Sequence, residues 1–217
     1  MLTIQLNFPP GTTPQILCLG AHSDDIEIGC GGTILRLLEE YPDLRVHWIV
    51  FSATESRRQE AIASAHQFLA KAAHKDIVVK DFQDGFFPYI GADIKRYFEE
   101  LKQTTAPDLI FTHYRHDLHQ DHRLLNELTW NTFRDHLILE YEIPKYDGDL
   151  GTPNVFVPLR GQIGAYKIAC LLQHFQTQAN KHWFTDRLFE SIMALRGIES
   201  RAPEGYAEAF YGRKIIL

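Results

Sequence analysis

Cysteine is scarce in this chain. The three present, Cys18, Cys30 and Cys170, are odd in number and widely spaced, which argues against a disulfide framework. Cys18 lies in an apolar run and reads as a buried thiol rather than a metal ligand. No Lys or Arg precedes Arg36, so the positive segment that opens a secretory signal is missing and a cytoplasmic protein is expected. Long apolar runs are missing too. The stretch from Ile16 to Ala21 is too short to span a bilayer, and membrane insertion is not expected. There is no basic block, and 22 Lys and Arg against 28 Asp and Glu leave a net charge of −6. Such a chain suits a phosphate backbone poorly, so nucleic acid is not expected as a partner.

What is present is globular. An apolar content of 45% over 217 residues supports one α/β domain with a sizeable core, and two full domains would be cramped. Branched apolar runs alternate with segments of helical period. Strands are expected at Ile16 to Gly20, Val46 to Phe51, Ile77 to Val79 and Leu109 to Thr112. Helices are expected at Gly31 to Glu40, Glu55 to Ala73, Ile94 to Lys102 and Asp121 to Phe133. This alternation predicts a Rossmann-like, mostly parallel sheet with helices on both faces. After Leu137 the rhythm changes. A strand at Leu137 to Ile143 gives way to a turn-rich stretch from Pro144 to Pro158. Two helices, Ile163 to His174 and Phe184 to Leu195, precede a strand from Tyr206 to Leu217. The expected organisation is a single domain over 1–217, with a core at 14–135 and a substrate-loop and carboxyl-terminal part at 136–217. The loops Phe82 to Ile90 and Tyr141 to Gly161 are where selectivity would sit.

Chemistry concentrates in two places. The first is Ala21-His22-Ser23-Asp24-Asp25-Ile26-Glu27, directly after the first strand, where ligands bind in open α/β sheets. His22 and Asp25 are three residues apart, so one helical turn can bring them to one ion. Asp24 could hold a water on such an ion. An alternative is that Ser23, Asp24 and Asp25 cap the following helix, where carboxylates also suit the dipole. The second place is a run in which His113, His116, His119 and His122 fall within ten residues, with Asp117 and Asp121 among them. A solvated loop explains one or two of these histidines and four of them poorly. Two metal-type clusters on one sheet edge point to a metal site. Two histidines, one carboxylate and a water form a familiar catalytic zinc set. Gly29-Cys30-Gly31-Gly32 offers a weaker signal. It could cradle a phosphate, but the Gly-x-Gly-x-x-Gly pattern is incomplete at Ile34, and close helix packing is the plainer account.

The motifs Ala21-His22-Ser23-Asp24-Asp25 and His119-Gln120-Asp121-His122 resemble those of the LmbE-like (PIG-L) N-acetylglucosaminyl deacetylase family. The resemblance extends to Arg57 to Ala61, Asp84-Gly85 and a weaker stretch from Lys167 to His174. Ser23 and Gln120 stand where that family usually has Pro, and its carboxyl-terminal His-x-Ser-Gln element appears only as His174-Phe175-Gln176-Thr177-Gln178. The resemblance implies His22, Asp25 and His122 as metal ligands and Asp24 as general base. It implies His119 as the group that polarises the carbonyl and protonates the leaving amine, with Asp121 orienting it and favouring its imidazolium. Arg57 and Asp84 would grip sugar hydroxyls. The implied activity is hydrolysis of the N-acetyl group from a small N-acetylated sugar or glycoconjugate. The implied metal is Zn2+, with Fe2+, Co2+ or Mn2+ as other divalent ions, and the sequence leaves room for a homo-oligomer.

Rival readings are an amide hydrolase acting on a non-sugar substrate, a non-haem iron oxygenase and a nucleotide-binding module built on Gly29 to Gly32. Oxygenases use the same ligand set, but the strand-helix alternation is not the all-β pattern associated with them.

Overall fold

The computed structural model describes residues 3–8 and 11–216. Seven strands form one sheet in the order β3-β2-β1-β4-β5-β7-β6. The first five are β1 (Gln15–Gly20), β2 (Arg45–Val50), β3 (His74–Val79), β4 (Leu109–His113) and β5 (Leu137–Tyr141), all mutually parallel. The last two, β6 (Val155–Leu159) and β7 (Tyr206–Gly212), run antiparallel to their neighbours. Helices α1 (Asp25–Glu40), α2 (Glu55–Phe68), α3 (Gly91–Thr104), α4 (Gln120–Thr132), α5 (Gly161–His174) and α6 (Asp186–Ser200) fill the connections. The alternation read from the sequence is therefore the observed α/β architecture.

Strand side chains alternate between two cores. Ile16 and Cys18 of β1 face one that takes in Ile26, Leu37, Ala65, Leu171 and Phe189, so α1, α2, α5 and α6 cover that face. Leu17 and Leu19 face the other, against Ile94 and Phe98 of α3 and Leu125 of α4. A strand buried on both faces must be apolar, as β1 is from Ile16 to Gly20. All three cysteines are free and buried. Among the described residues no helix is long and apolar enough to cross a membrane.

Several expectations needed correction. α1 begins at Asp25, not Gly31, because Asp25 and Glu27 suit a helix start and the glycines continue the helix instead of breaking it. α2 ends at Phe68, since His74 already opens β3. β6 falls inside the stretch read as turns. It is an edge strand, where Pro158 is tolerated. The expected terminal strand stops at Gly212, and its last residue, Leu217, lies outside the described residues.

Helix α1 has one unusual support. An α-helix would pair the Gly32 N–H with the Ile28 carbonyl, yet each takes a partner from outside. Glu208 of β7 accepts from the amides of Gly32 at 2.8 Å and Thr33 at 2.6 Å. The ammonium of Lys167 on α5 donates to the Ile28 carbonyl and to Glu208, both at 2.6 Å. Both partners are buried.

Candidate functional site

The site lies at the carboxyl ends of β1 and β4, where the loops into α1 and α4 meet. Three donor atoms form a triangle. His22 Nδ1 is 3.2 Å from His122 Nε2 and 3.3 Å from Asp25 Oδ2, and His122 Nε2 is 3.5 Å from Asp25 Oδ2. A tetrahedral ion with bonds of ~2.0–2.2 Å needs donors about 3.3–3.6 Å apart. The triangle therefore has the size of one face of such a polyhedron. His22 with His119 and His122, His22 with Asp84, His119 and Asp121, and Asp25 with His113 and His122 also cluster closely enough to share an ion.

The charges around the triangle suit a cation as well. Asp24, Asp25, Asp84, Asp117 and Asp121 are answered among fixed cations by Arg57 and Lys145. Burial lowers the pKa of His22, but hydrogen bonds to Asp121, Asp25 and Asp84 outweigh it and hold the imidazole well above its ordinary value. A position that captures a proton so strongly is one that a metal charge could take over. Burial, aided by the charge of His113, pushes His122 down to about 3, which keeps the ring neutral, the form in which an imidazole can ligate a metal. Its Nδ1 is 2.9 Å from Asp117 Oδ2, the outer carboxylate that orients many metal-bound histidines.

Asp24 occupies the N-cap position of α1 but makes no side-chain capping bond. Asp25 takes the backbone N–H of His22 at 2.7 Å. The helix-capping alternative thus leaves Asp24 unexplained. Burial and the neighbouring Asp25 raise the Asp24 carboxyl to about 6 against the opposing charge of Arg57. The arginine donates from Nη2 to Asp24 Oδ1 at 3.3 Å, from Nε to Ser23 Oγ at 3.0 Å, and from Nη1 to Asp84 Oδ2 at 3.5 Å. Ser23, unusual for the motif, is therefore a partner of Arg57. Gln120, the other unusual residue, donates to the Gly85 carbonyl and ties the two loops. Gly85 adopts φ +77°, where a glycine is needed, and this turn leaves Asp84 half-exposed at the mouth.

His119 caps α4, its Nδ1 accepting the backbone N–H of Asp121 at 3.3 Å. That bond leaves the proton of the neutral ring on Nε2. The carboxylate of Asp121 points elsewhere. It accepts from the amides of Gly85 at 2.7 Å and Phe87 at 3.1 Å, and lies 3.3 Å from His22 Nε2. The Asp121 carboxylate therefore does not hold the His119 ring by a hydrogen bond, although its charge does favour the imidazolium. Burial and the charge of His22 lower the pKa of His119 against the nearby carboxylates.

Other candidates separate clearly. His116 is exposed and packs edge-on against Tyr114. His174 bonds Gln67 between α5 and α2. His113 belongs to the site: its ring stacks on His122 with centroids 3.8 Å apart, and its Nε2 is 3.3 Å from Asp25 Oδ2 and accepts from Ala21 N at 3.0 Å. Its place in the histidine run was the available signal. Lys145, part-buried beside Asp117, gave none. The glycine cluster proves to be packing. A Cβ at Gly29 would fall 2.2 Å from the Tyr141 ring, at Gly31 2.7 Å from Phe68, and at Gly32 2.6 Å from Leu159. These backbones face side chains, which removes the basis for a phosphate cradle.

The chain also resembles known proteins in sequence and in fold. A sequence-family profile described as "PIG-L: GlcNAc-PI de-N-acetylase" matches residues 17–133. A protein of Escherichia coli K12 described as the uncharacterized deacetylase YaiS is 27% identical over 177 residues, covering 73% of this chain and 89% of YaiS. The fold is shared with the N,N'-diacetylchitobiose deacetylase of Pyrococcus horikoshii, with TM-score 0.67, 18% identity, and 92% of this chain and 83% of that one covered. It is shared equally with GalB, the 4-carboxy-2-hydroxymuconate hydratase of Pseudomonas putida KT2440, with TM-score 0.73, 16% identity, and 94% and 98% covered. The fold alone therefore does not fix the reaction.

Proposed function

Because the chain belongs to the family described as PIG-L, GlcNAc-PI de-N-acetylase, we propose that it is a zinc-dependent hydrolase of an N-acetylated sugar or glycoconjugate, releasing acetate and a free amine. The observation that carries this reading is the His22, Asp25 and His122 triangle, at tetrahedral spacing, with the uncapped carboxylate of Asp24 beside it.

His22, Asp25 and His122 would hold the metal, and Zn2+ matches their two nitrogens and one oxygen best. When bound, the ion supplies Lewis acidity for the acetamide carbonyl and makes an attacking water more acidic. Asp24 is the base that takes a proton from that water. With a carboxyl raised to about 6 it both accepts and releases a proton near neutrality, so it can return that proton to the departing amine. His119 presents its Nε2–H to the carbonyl oxygen as negative charge develops there. Its lowered pKa suits a neutral hydrogen-bond donor better than a standing acid. Asp121 buttresses this arrangement by holding the Gly85–Phe87 amides and facing His22. Asp84, half-exposed at the mouth, binds sugar hydroxyls, and Arg57 supports both Asp24 and Asp84.

The cytoplasmic setting is part of the proposal. Three free, buried thiols suit a reducing compartment. The division into a site-bearing core at 14–135 and a substrate-loop part at 136–217 is proposed in the same way.

The direct test is acetate release from a panel of N-acetylated sugars and conjugates, with metal content measured on the same preparation. Turnover that falls on chelation and returns with added metal is expected. A metal-replete protein that cleaves no N-acetyl substrate would refute the reading.

A further inference from the structure

Beneath the donor triangle, the loop after β5 sends one side chain inward. Lys145 keeps 9% of its side chain exposed. Its ammonium lies 3.0 Å from Asp117 Oδ2, 2.5 Å from Asp149 Oδ2 and 3.4 Å from the Ile143 carbonyl. Asp117 faces two ways. Its Oδ2 also meets His122 Nδ1 at 2.9 Å, and its Oδ1 accepts the backbone N–H of His119 at 2.8 Å. Asp149 in turn accepts the Leu118 N–H at 2.7 Å.

The consequence is physical. An imidazole that ligates through one nitrogen is aimed by whatever holds the other. Here the holder is a carboxylate with 2% of its residue surface exposed, and burying an unpaired carboxylate is costly. The Lys145 ammonium supplies the counter-charge at the same oxygen that meets His122. It thereby keeps Oδ2 between two donors and Oδ1 on the His119 amide. In a buried setting that pull is weakly screened.

We propose that Lys145 is a positioning residue for the metal centre. Through Asp117 it fixes the His122 ring and the backbone at His119, so the loop after β5 helps set metal affinity as well as walling the site. This rests on the metal reading above. A different role would be simple anchoring of the loop through Asp149, and the two separate by experiment.

The full chain carrying Lys145→Met, Lys145→Arg or Asp149→Asn is stripped of metal. Its melting is recorded, and its Zn2+ affinity is measured by competition with a chromogenic chelator. The visible spectrum of the Co2+-loaded protein reports the ligand field separately from activity. Lys145→Met is expected to weaken Zn2+ binding about 10–100-fold, the usual effect of an outer-shell change, and to alter the cobalt spectrum. Lys145→Arg and Asp149→Asn should stay close to wild type. Lys145→Gln, which keeps a donor near Asp117, replaces the Met variant if that variant does not fold. Wild-type affinity and spectrum in the folded charge-removing variant would overturn the inference. So would an equal loss in Asp149→Asn, which would mark a loop tie. A wild-type chain that takes up no divalent metal would overturn the metal reading itself, and this inference with it.

Discussion

Arg57 Nη2 sits 3.3 Å from Asp24 Oδ1, so the arginine expected to grip sugar is also the counter-charge of the proposed base. Burial and Asp25 push the Asp24 carboxyl up to about 6 in the metal-free site, while Arg57 opposes them. The working form is the carboxylate, so activity falls as pH drops through that value. Removing Arg57 raises the pKa further, and the acidic limb of kcat/KM in Arg57→Gln should move to higher pH. A bound cation favours the carboxylate, so in the metal-loaded wild type the limb should lie at or below about 6. Superimposable limbs in the two proteins would remove Arg57 from this role.

Asp24 and Asp25 are adjacent but should fail differently. Asp25→Asn exchanges an anionic donor for a neutral one and should weaken metal binding. Asp24→Asn should keep the metal and lower turnover by roughly 10²–10⁴-fold, the usual size of a general-base contribution. Metal stoichiometry and turnover, measured side by side, decide it. A metal-replete Asp24→Asn enzyme with near wild-type turnover would sink the mechanism.

Metal should also hold the fold together. A ligand at 100 times its Kd adds ~2.7 kcal/mol to unfolding, which in a chain of this size raises Tm by about 5–11 °C. Calorimetry of stripped and Zn2+-reconstituted protein should show that shift, and its absence at saturating metal would argue against a site formed in the folded chain alone.

Gly29 tests the packing account. In Gly29→Ala the new methyl would meet the Tyr141 ring, whose hydroxyl bonds the Leu19 carbonyl and approaches His113 Nε2. Overpacking of this kind costs about 1–3 kcal/mol or more, and thermal melting should record it. A fully stable variant would mean that Tyr141 yields freely.

Local patterns made the first five strands and the two motif loops legible, because runs of branched apolar residues mark strands and polar clusters at a strand's end have few structural excuses. Packing at a distance was not legible. The start of α1 at Asp25 was not legible because Ser23, Asp24 and Asp25 read equally as a ligand-bearing loop and as a helix cap, and the partners of the packed glycines, Tyr141, Phe68 and Leu159, lie far away in sequence. Likewise, the carboxylate of Asp121 stands near His119 in sequence but faces His22 and the Gly85 turn. Lys145 was invisible for the same reason: a lysine in a turn-rich loop normally faces water, and only the fold seats it on Asp117.

The Glu208 carboxylate that reaches into α1 has a consequence for the order in which the protein can be made. Gly32 and Glu208 are separated by 176 positions, so a chain leaving the ribosome displays both motif loops well before β7 exists to support the helix that begins with Asp25. The segment matched by the family profile, residues 17–133, holds every proposed ligand yet lacks both Lys167 and Glu208. Cut out alone, it would carry the proposed chemistry without the part that finishes its scaffold.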